Sequence, residues 1–179
     1  MPEKPVLTAE PHPQAEPDIG AALWRLQDSR RRTLGVLRDV RPEEVDQETG
    51  GNSIGTILYH LALIEADWLY TEILERSPPP ELSALLPEEH RDQAGVLTTI
   101  RGQSLEEHLA RLHSIRETFL AEVVGLTTDE FHRVRDLPDY EVTPAWVLHH
   151  LAQHEAEHRG ELGSMLARLR ADDPAGTTG

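Results

Sequence analysis

Residues 143–170 read TPAWVLHHLAQHEAEHRGELGSMLARLR, which is the longest continuous helical pattern in the chain. Thr143 followed by Pro144 is a common helix start, with threonine as the N-cap and proline in the first helical position. Apolar residues then recur at helical spacing along one side, at Val147, Leu151, Leu162, Met165 and Leu169. The stretch therefore predicts one long amphipathic helix, whose apolar side must be covered by other elements.

Three further segments carry the same helical pattern, and together with the last helix they predict an all-α protein. We place these helices at residues 18–40, 54–75 and 104–124. Asp18 is the expected N-cap of the first helix, and Asn52 and Ser53 both suit that role in the second. The sequence Ser104-Leu105-Glu106-Glu107 is a capping box at the start of the third.

Four amphipathic helices and few aromatic residues indicate a four-helix bundle. Between the second and third helices, residues 77–103 are expected to form a long irregular crossover with one helical turn at Glu88–Asp92. No strand pattern is visible, and residues 127–142 are expected to be loop with one helical turn at Thr128–His132. The predicted organisation is a disordered or extended lead at residues 1–17, the bundle at residues 18–170, and a flexible tail at residues 171–179.

The composition limits the partners and the chemistry. With a net charge of −15 and no evident basic face, nucleic acid and anionic membranes are not expected partners. The absence of cysteine excludes disulfides, thiolate ligands and a cysteine nucleophile. No stretch has the roughly 20 apolar residues of a membrane span, and the first residues lack the apolar run of a signal peptide. We expect a cytoplasmic protein that acts on a small molecule.

His154 and His158 give the strongest chemical signal. Residues four apart on a helix are neighbours, so both imidazoles can reach one ion. Both lie on the apolar side of the last helix, where unpaired imidazoles are costly. A third ligand should come from another helix, and His60, beside the apolar stripe of the second helix, is the candidate. We expect His60, His154 and His158 to bind a divalent metal, and nitrogen ligands suit zinc, nickel and iron alike.

The string His154-Glu155-Ala156-Glu157-His158 also matches the H-E-x-x-H motif of zinc peptidases, in which Glu155 would be the general base. The rest of that template is missing. Glu161 stands where the extended motif has glycine, and no glutamate follows it. We therefore rank a zinc peptidase third among the possible functions of this chain. Otherwise Glu155 is a proton acceptor at the metal, a charge that supports the ligands, or a surface charge.

Arg30 and Arg116 each fall on the apolar stripe of a predicted helix. Inward guanidinium groups commonly bind a carboxylate or phosphate, so both are candidates for binding an anionic substrate near the metal. The alternative is that each pairs with a local acidic residue or extends to the surface. Trp68 is a further candidate for the substrate pocket, with core packing as its alternative.

Two segments resemble the DinB-like (YfiT-like) family of metal-dependent enzymes. Residues 52–61, NSIGTILYHL, resemble that family's second helix, and the last helix from Thr143 resembles its final helix, above all in H-x-x-x-H-R-G. The resemblance covers most of residues 18–170. It implies that His60, His154 and His158 bind a divalent metal, in a four-helix bundle that is commonly a homodimer.

The resemblance also implies a class of reaction. Family members include thiol-dependent S-transferases and isomerases that use small thiols such as bacillithiol or mycothiol, and others are described as hydrolases. We therefore expect a metal-dependent S-transferase or related hydrolase, with a low-molecular-weight thiol as cosubstrate. The main alternative is a non-enzymatic, metal-binding, stress-associated helical dimer.

Overall fold

The computed structural model describes residues 4–171, which are mostly helical, so the all-α prediction is confirmed. Six α-helices lie in this range: α1 (Pro17–Leu37), α2 (Ile54–Trp68), α3 (Pro80–Ser83), α4 (Leu105–Val123), α5 (Thr128–His132) and α6 (Pro144–Ala171). A 3₁₀ turn at Pro42–Glu44 follows α1, and a π-helical turn at Leu69–Ile73 continues α2. Two short strands, β1 (Arg135–Asp136) and β2 (Glu141–Val142), precede α6.

The four long helices α1, α2, α4 and α6 enclose the core. Helix α1 packs against α6, and α2 contacts both α4 and α6. All four contribute fully buried apolar side chains, among them Leu23, Leu26, Leu58, Phe119 and Leu162. Each such side chain stabilises the fold by about 1.5–3 kcal/mol relative to its exposed state. The helix stripes seen in the sequence are therefore the packed faces.

Most of the predicted helix starts are confirmed by side-chain caps. Ser104 Oγ accepts a hydrogen bond of 3.2 Å from the Glu107 amide, and Glu107 Oε2 accepts one of 2.7 Å from the Ser104 amide. Ser53 Oγ accepts from the Thr56 amide at 3.1 Å. These bonds satisfy amides that a helix leaves unpaired at its first turn.

The predicted start of the first helix is wrong. Helix α1 begins at Pro17, and the residue in the cap position is Glu16, which makes no capping bond to the helix. Asp18 instead lies in the first turn. Its negative charge is favourable there, because the helix dipole is positive at this end.

The second helix changes its hydrogen-bond pattern before it ends. The α-helical part stops at Trp68, and the Leu74 amide bonds to the Leu69 carbonyl at 2.9 Å, which is the five-residue spacing of a π-helix. The chain then leaves the helix at Glu75, which has a positive φ of 52°. The wider turn buries Glu72.

The crossover and the loop before α6 differ from the prediction. The helical turn of the crossover is α3 at Pro80–Ser83, started by proline, and not at Glu88–Asp92. Residues 135–142 were expected to be loop, yet β1 and β2 pair antiparallel, with Arg135 opposite Val142. Two-residue strands are too short to show an alternating pattern in the sequence.

The predicted lead contacts the first helix. Residues 4–16 contain no helix or strand, and the His12 amide donates to the Gly20 carbonyl at 3.1 Å. A Cβ atom on Gly20 would lie 2.9 Å from the His12 carbonyl oxygen, so glycine permits this approach. Residues 1–3 of the predicted lead and 172–179 of the predicted tail lie outside the described residues. Within residues 4–171, we find no helix with the length and hydropathy of a transmembrane span.

Candidate metal centre

Three histidines from two helices meet on one side of the core. His60 comes from α2, and His154 and His158 come from α6; each offers a ring nitrogen within 4.8 Å of the other two. The Nε2 atoms of His60 and His154 are 3.2 Å apart. Around a tetrahedral ion with metal–nitrogen bonds of about 2.0–2.1 Å, two ligand nitrogens stand about 3.3 Å apart. The donor set and its spacing therefore fit a divalent metal.

The surroundings keep two of these imidazoles neutral. Burial, together with the neighbouring His154 and His158, lowers the pKa of His60 to about 3. Burial lowers the pKa of His154 to about 4, and His158 adds to the effect. His60 is only 7% exposed. At neutral pH both rings are unprotonated, which is the form that binds metals.

His158 is oriented by a hydrogen bond from outside the histidine group. Its Nδ1 lies 2.9 Å from Glu161 Oε2, and Glu161 Oε1 accepts a bond of 3.1 Å from the side chain of Asn52. When the Nδ1–H group donates a hydrogen bond to Glu161, Nε2 is the unprotonated nitrogen and keeps its lone pair free for a metal. A carboxylate behind a histidine is the usual way in which proteins fix the orientation of a metal ligand.

A buried ion-pair network includes Glu155, the residue after His154, and each long helix contributes one member: Arg30, Glu65, Arg116 and Glu155. Arg30 bonds Glu155 at 2.6 Å and Glu65 at 2.8 Å. Arg116 bonds Glu65 through two nitrogens and Glu155 at 3.1 Å. The remaining Nη1 groups donate to the Leu112 and Leu26 carbonyl oxygens at 3.0 and 3.1 Å. Two positive and two negative charges thus neutralise one another inside the core.

The network is electrostatically stable despite its burial. Burial alone would raise the pKa of Glu65, but the Arg116 and Arg30 guanidiniums outweigh it and lower that pKa. Burial likewise opposes the charge of Arg116, and Glu65 and Glu155 raise its pKa instead. Removing one member would leave an uncompensated buried charge.

These contacts bear on three of the predicted site residues. Arg30 and Arg116 do lie inside the bundle, but their hydrogen bonds go to protein carboxylates and carbonyls, as in the alternative stated above. Glu155 is 2% exposed and its two oxygens accept from these guanidiniums. Roles in substrate binding and in proton transfer therefore stay predictions.

Sequence reasoning missed Glu65, the fourth member of the network. It follows Leu58 and Leu61 at helical spacing, so it lies on an apolar stripe of α2. The signal in the sequence was a lone acidic residue on an apolar stripe. Such a residue needs a positively charged partner, and the inward-facing Arg30 and Arg116 could supply it.

Trp68 belongs to a group of neighbouring rings that includes His150, and His150 lies next to His154. The Trp68 ring is 5.5 Å from that of Trp146, 6.3 Å from that of Tyr140 and 4.5 Å from that of His150. The His150 ring is 5.9 Å from the His154 ring. A pocket of about 650 Å³ adjoins this group, lined by Trp68, Val134, Tyr140, Glu141, Val142, Thr143 and Trp146. Trp68 lines this pocket, and its role in substrate binding stays a prediction.

Comparison with protein-family models gives a match over most of the chain. A protein-family model described as the DinB superfamily matches residues 10–162. The matched range includes the three histidines and the whole ion-pair network. No curated protein matches the chain.

Proposed function

Because the chain belongs to the DinB superfamily and three of its histidines converge, we propose that it is a metal-dependent enzyme. His60, His154 and His158 would bind one divalent ion, for which zinc, nickel and iron are all suitable. The observation that carries the proposal is the grouping of three ring nitrogens within 4.8 Å of one another, from two helices. Three protein ligands leave coordination positions open, which is typical of catalytic sites.

The chemistry follows from the donor set. A divalent metal bound there supplies a Lewis acid that lowers the pKa of a thiol or a water in the open position. The protein presents His60 and His154 unprotonated, and Glu161 orients His158. The aromatic pocket gives an organic substrate an apolar surface, and His150, which stacks on Trp146 of this pocket, lies 5.9 Å from His154 between ring centres.

We propose thiol-dependent S-transfer as the reaction. A low-molecular-weight thiol of the bacillithiol or mycothiol type loses its proton to solvent, and its sulfur attacks an electrophilic carbon. A carbon–sulfur bond forms while the leaving group departs with the bonding electron pair. The thiol must come from outside, since the chain has no cysteine. A related hydrolase would use water in the same position.

The contacts of Glu155 argue against a zinc peptidase. In that mechanism the glutamate of H-E-x-x-H activates water at the metal. Here the carboxylate of Glu155 accepts hydrogen bonds from Arg30 and Arg116 in the core. We therefore assign it to positioning α6, and we do not propose peptidase activity.

The test is a conjugation assay with protein loaded separately with zinc, nickel or iron. Bacillithiol or mycothiol is mixed with 1-chloro-2,4-dinitrobenzene, and conjugate formation is followed by absorbance. Activity should require metal, vanish in His154→Ala and persist in His149→Ala, because His149 is exposed on the same helix. Metal binding without conjugation across a panel of electrophiles would favour the non-enzymatic metal-binding dimer instead.

A further inference from the structure

The pocket beside Trp68 has an unusually apolar rim. Trp146 is 48% exposed, Tyr140 is 45% exposed and Val134 is 53% exposed, and all three line the same pocket. Exposed large apolar side chains that gather in a concave surface commonly mark a ligand site. The volume of about 650 Å³ suits a small organic molecule.

A buried carboxylate is bonded to Tyr140, one of the residues that line this pocket. Glu72, in the π-helical turn, is 4% exposed, and its Oε1 accepts a hydrogen bond of 2.7 Å from the Tyr140 hydroxyl. Its Oε2 is buried and has no hydrogen-bond partner anywhere in residues 4–171. A buried acceptor without a donor is costly. A ligand that supplies an N–H group would remove that cost.

The charges around the pocket favour a cation. Glu141 lines it, and Asp67 and Asp139 lie close enough to Tyr140 to act on its ionisation. Burial, the bond to Glu72 and the charges of Glu72, Asp67 and Asp139 raise the pKa of Tyr140 to about 12. Burial raises the pKa of Glu72, and the hydrogen bond from Tyr140 only partly offsets the cost of its negative charge. A cation would offset that cost further, whereas an anion would be repelled by the surrounding carboxylates.

We propose that this pocket binds an aryl-alkyl ammonium, a flat apolar group attached to a protonated amine. The flat group stacks against Trp146 and Tyr140, and the ammonium donates a hydrogen bond to Glu72 Oε2 as the half-exposed Tyr140 ring shifts to admit it. Aromatic faces attract cations, so the wall and the carboxylate act together. That such an amine is the substrate rests on the proposed function: His150 stacks on Trp146, which lines the pocket, and the His150 ring lies 5.9 Å from that of His154.

The binding test compares three probes of similar shape: 2-phenylethylammonium, neutral 2-phenylethanol and anionic 3-phenylpropionate. Affinities are measured by calorimetry and ligand-observed NMR at neutral pH, on the metal-loaded protein and on His154→Ala. We expect the ammonium to bind about tenfold tighter than the alcohol and the carboxylate to bind most weakly. Glu72→Gln should abolish the preference for the ammonium, whereas Glu157→Gln, an exposed change on α6, should keep it.

Two further variants keep the proposal falsifiable if Glu72→Gln does not fold. Tyr140→Phe frees Glu72 Oε1 and should tighten ammonium binding, while Trp146→Ala should weaken the ammonium and the alcohol alike. Equal affinity for these two probes, or an ammonium preference that survives Glu72→Gln, would overturn the proposal. So would sedimentation data in which Trp146→Ala converts a dimer to a monomer and no probe binds, since the pocket would then be a subunit interface.

The two hypotheses fail separately. Ammonium binding to His154→Ala without any thiol conjugation by the metal-loaded protein would contradict the proposed function alone. Thiol conjugation of neutral electrophiles without ammonium selectivity would contradict this inference alone.

Discussion

Arg30 Nε donates a hydrogen bond of 2.6 Å to Glu155 Oε1 in the core, directly after His154 in the chain. Successive residues on a helix point about 100° apart. The same turn of α6 therefore sends His154 towards His60 and Glu155 towards Arg30 and Arg116. The ion pair fixes the rotation of α6, and with it the direction of His154 and His158.

Replacing Glu155 should destabilise the whole fold. Glu155→Gln leaves two buried guanidiniums with one carboxylate, and breaking such a buried pair costs about 3–5 kcal/mol. Urea unfolding of the metal-free protein measures the loss. The matched control is Glu157→Gln on the exposed side of the same helix, where we expect a change within about 0.5 kcal/mol. Equal stabilities of the two variants would show that the network does not support the fold.

Gly55 of α2 packs tightly against the side chain of His108 in α4. A Cβ atom there would lie 2.8 Å from Nε2 of the buried His108, closer than any relaxed contact. Gly55→Ala should therefore destabilise the protein by about 1–3 kcal/mol through overpacking.

The control is Gly35→Ala in α1, where an added Cβ meets nothing within 4 Å. That change should stabilise by up to about 1 kcal/mol, because alanine is the better helix former. Thermal unfolding of both variants tests the pair. A stabilised Gly55→Ala protein would contradict the packing of α2 against His108.

His108 should make stability depend on pH. Burial, with the adjacent Arg111 guanidinium, lowers its pKa from 6.5 to about 4. Between these values the unfolded chain binds more protons than the folded one, so stability must fall as the pH is lowered from about 6.5 to about 4. The free energy of unfolding of metal-free protein, measured against pH, should show this loss.

His108→Gln should reduce the slope of the free energy of unfolding against pH between about 4 and 6.5, whatever its effect on stability at pH 7. His113→Gln on the same helix is the control, because His113 is exposed. His60 and His154 contribute in the same direction, so part of the slope should remain. An unchanged slope in His108→Gln would contradict a buried neutral imidazole.

The long helices were predictable because their signals are local. The capping box at Ser104 and the start at Thr143 use side chains within four residues of the amides that they bond. The grouping of His154 with His158 needs only the helical repeat. Their pairing with His60 depends on how α2 packs against α6, and in the sequence it was supported by the resemblance.

Other features depend on contacts between distant segments. No local rule pairs Glu65 with Arg30 and Arg116, which lie 35 and 51 residues away. The π-helical turn that buries Glu72 leaves the apolar pattern of a helix almost unchanged, so the sequence predicted one uninterrupted helix. The bond from Tyr140 to Glu72 spans 68 residues and was equally out of reach.

Metal analysis tests the central claim most directly. Tag-free protein, purified without added metal, is analysed by elemental mass spectrometry together with its His60→Ala, His154→Ala, His158→Ala and His149→Ala variants. We predict about one equivalent of a divalent transition metal in the parent and in His149→Ala, and its loss in the other three variants. Undiminished metal in His60→Ala, or none in the parent even after loading with zinc, nickel or iron, would contradict the account.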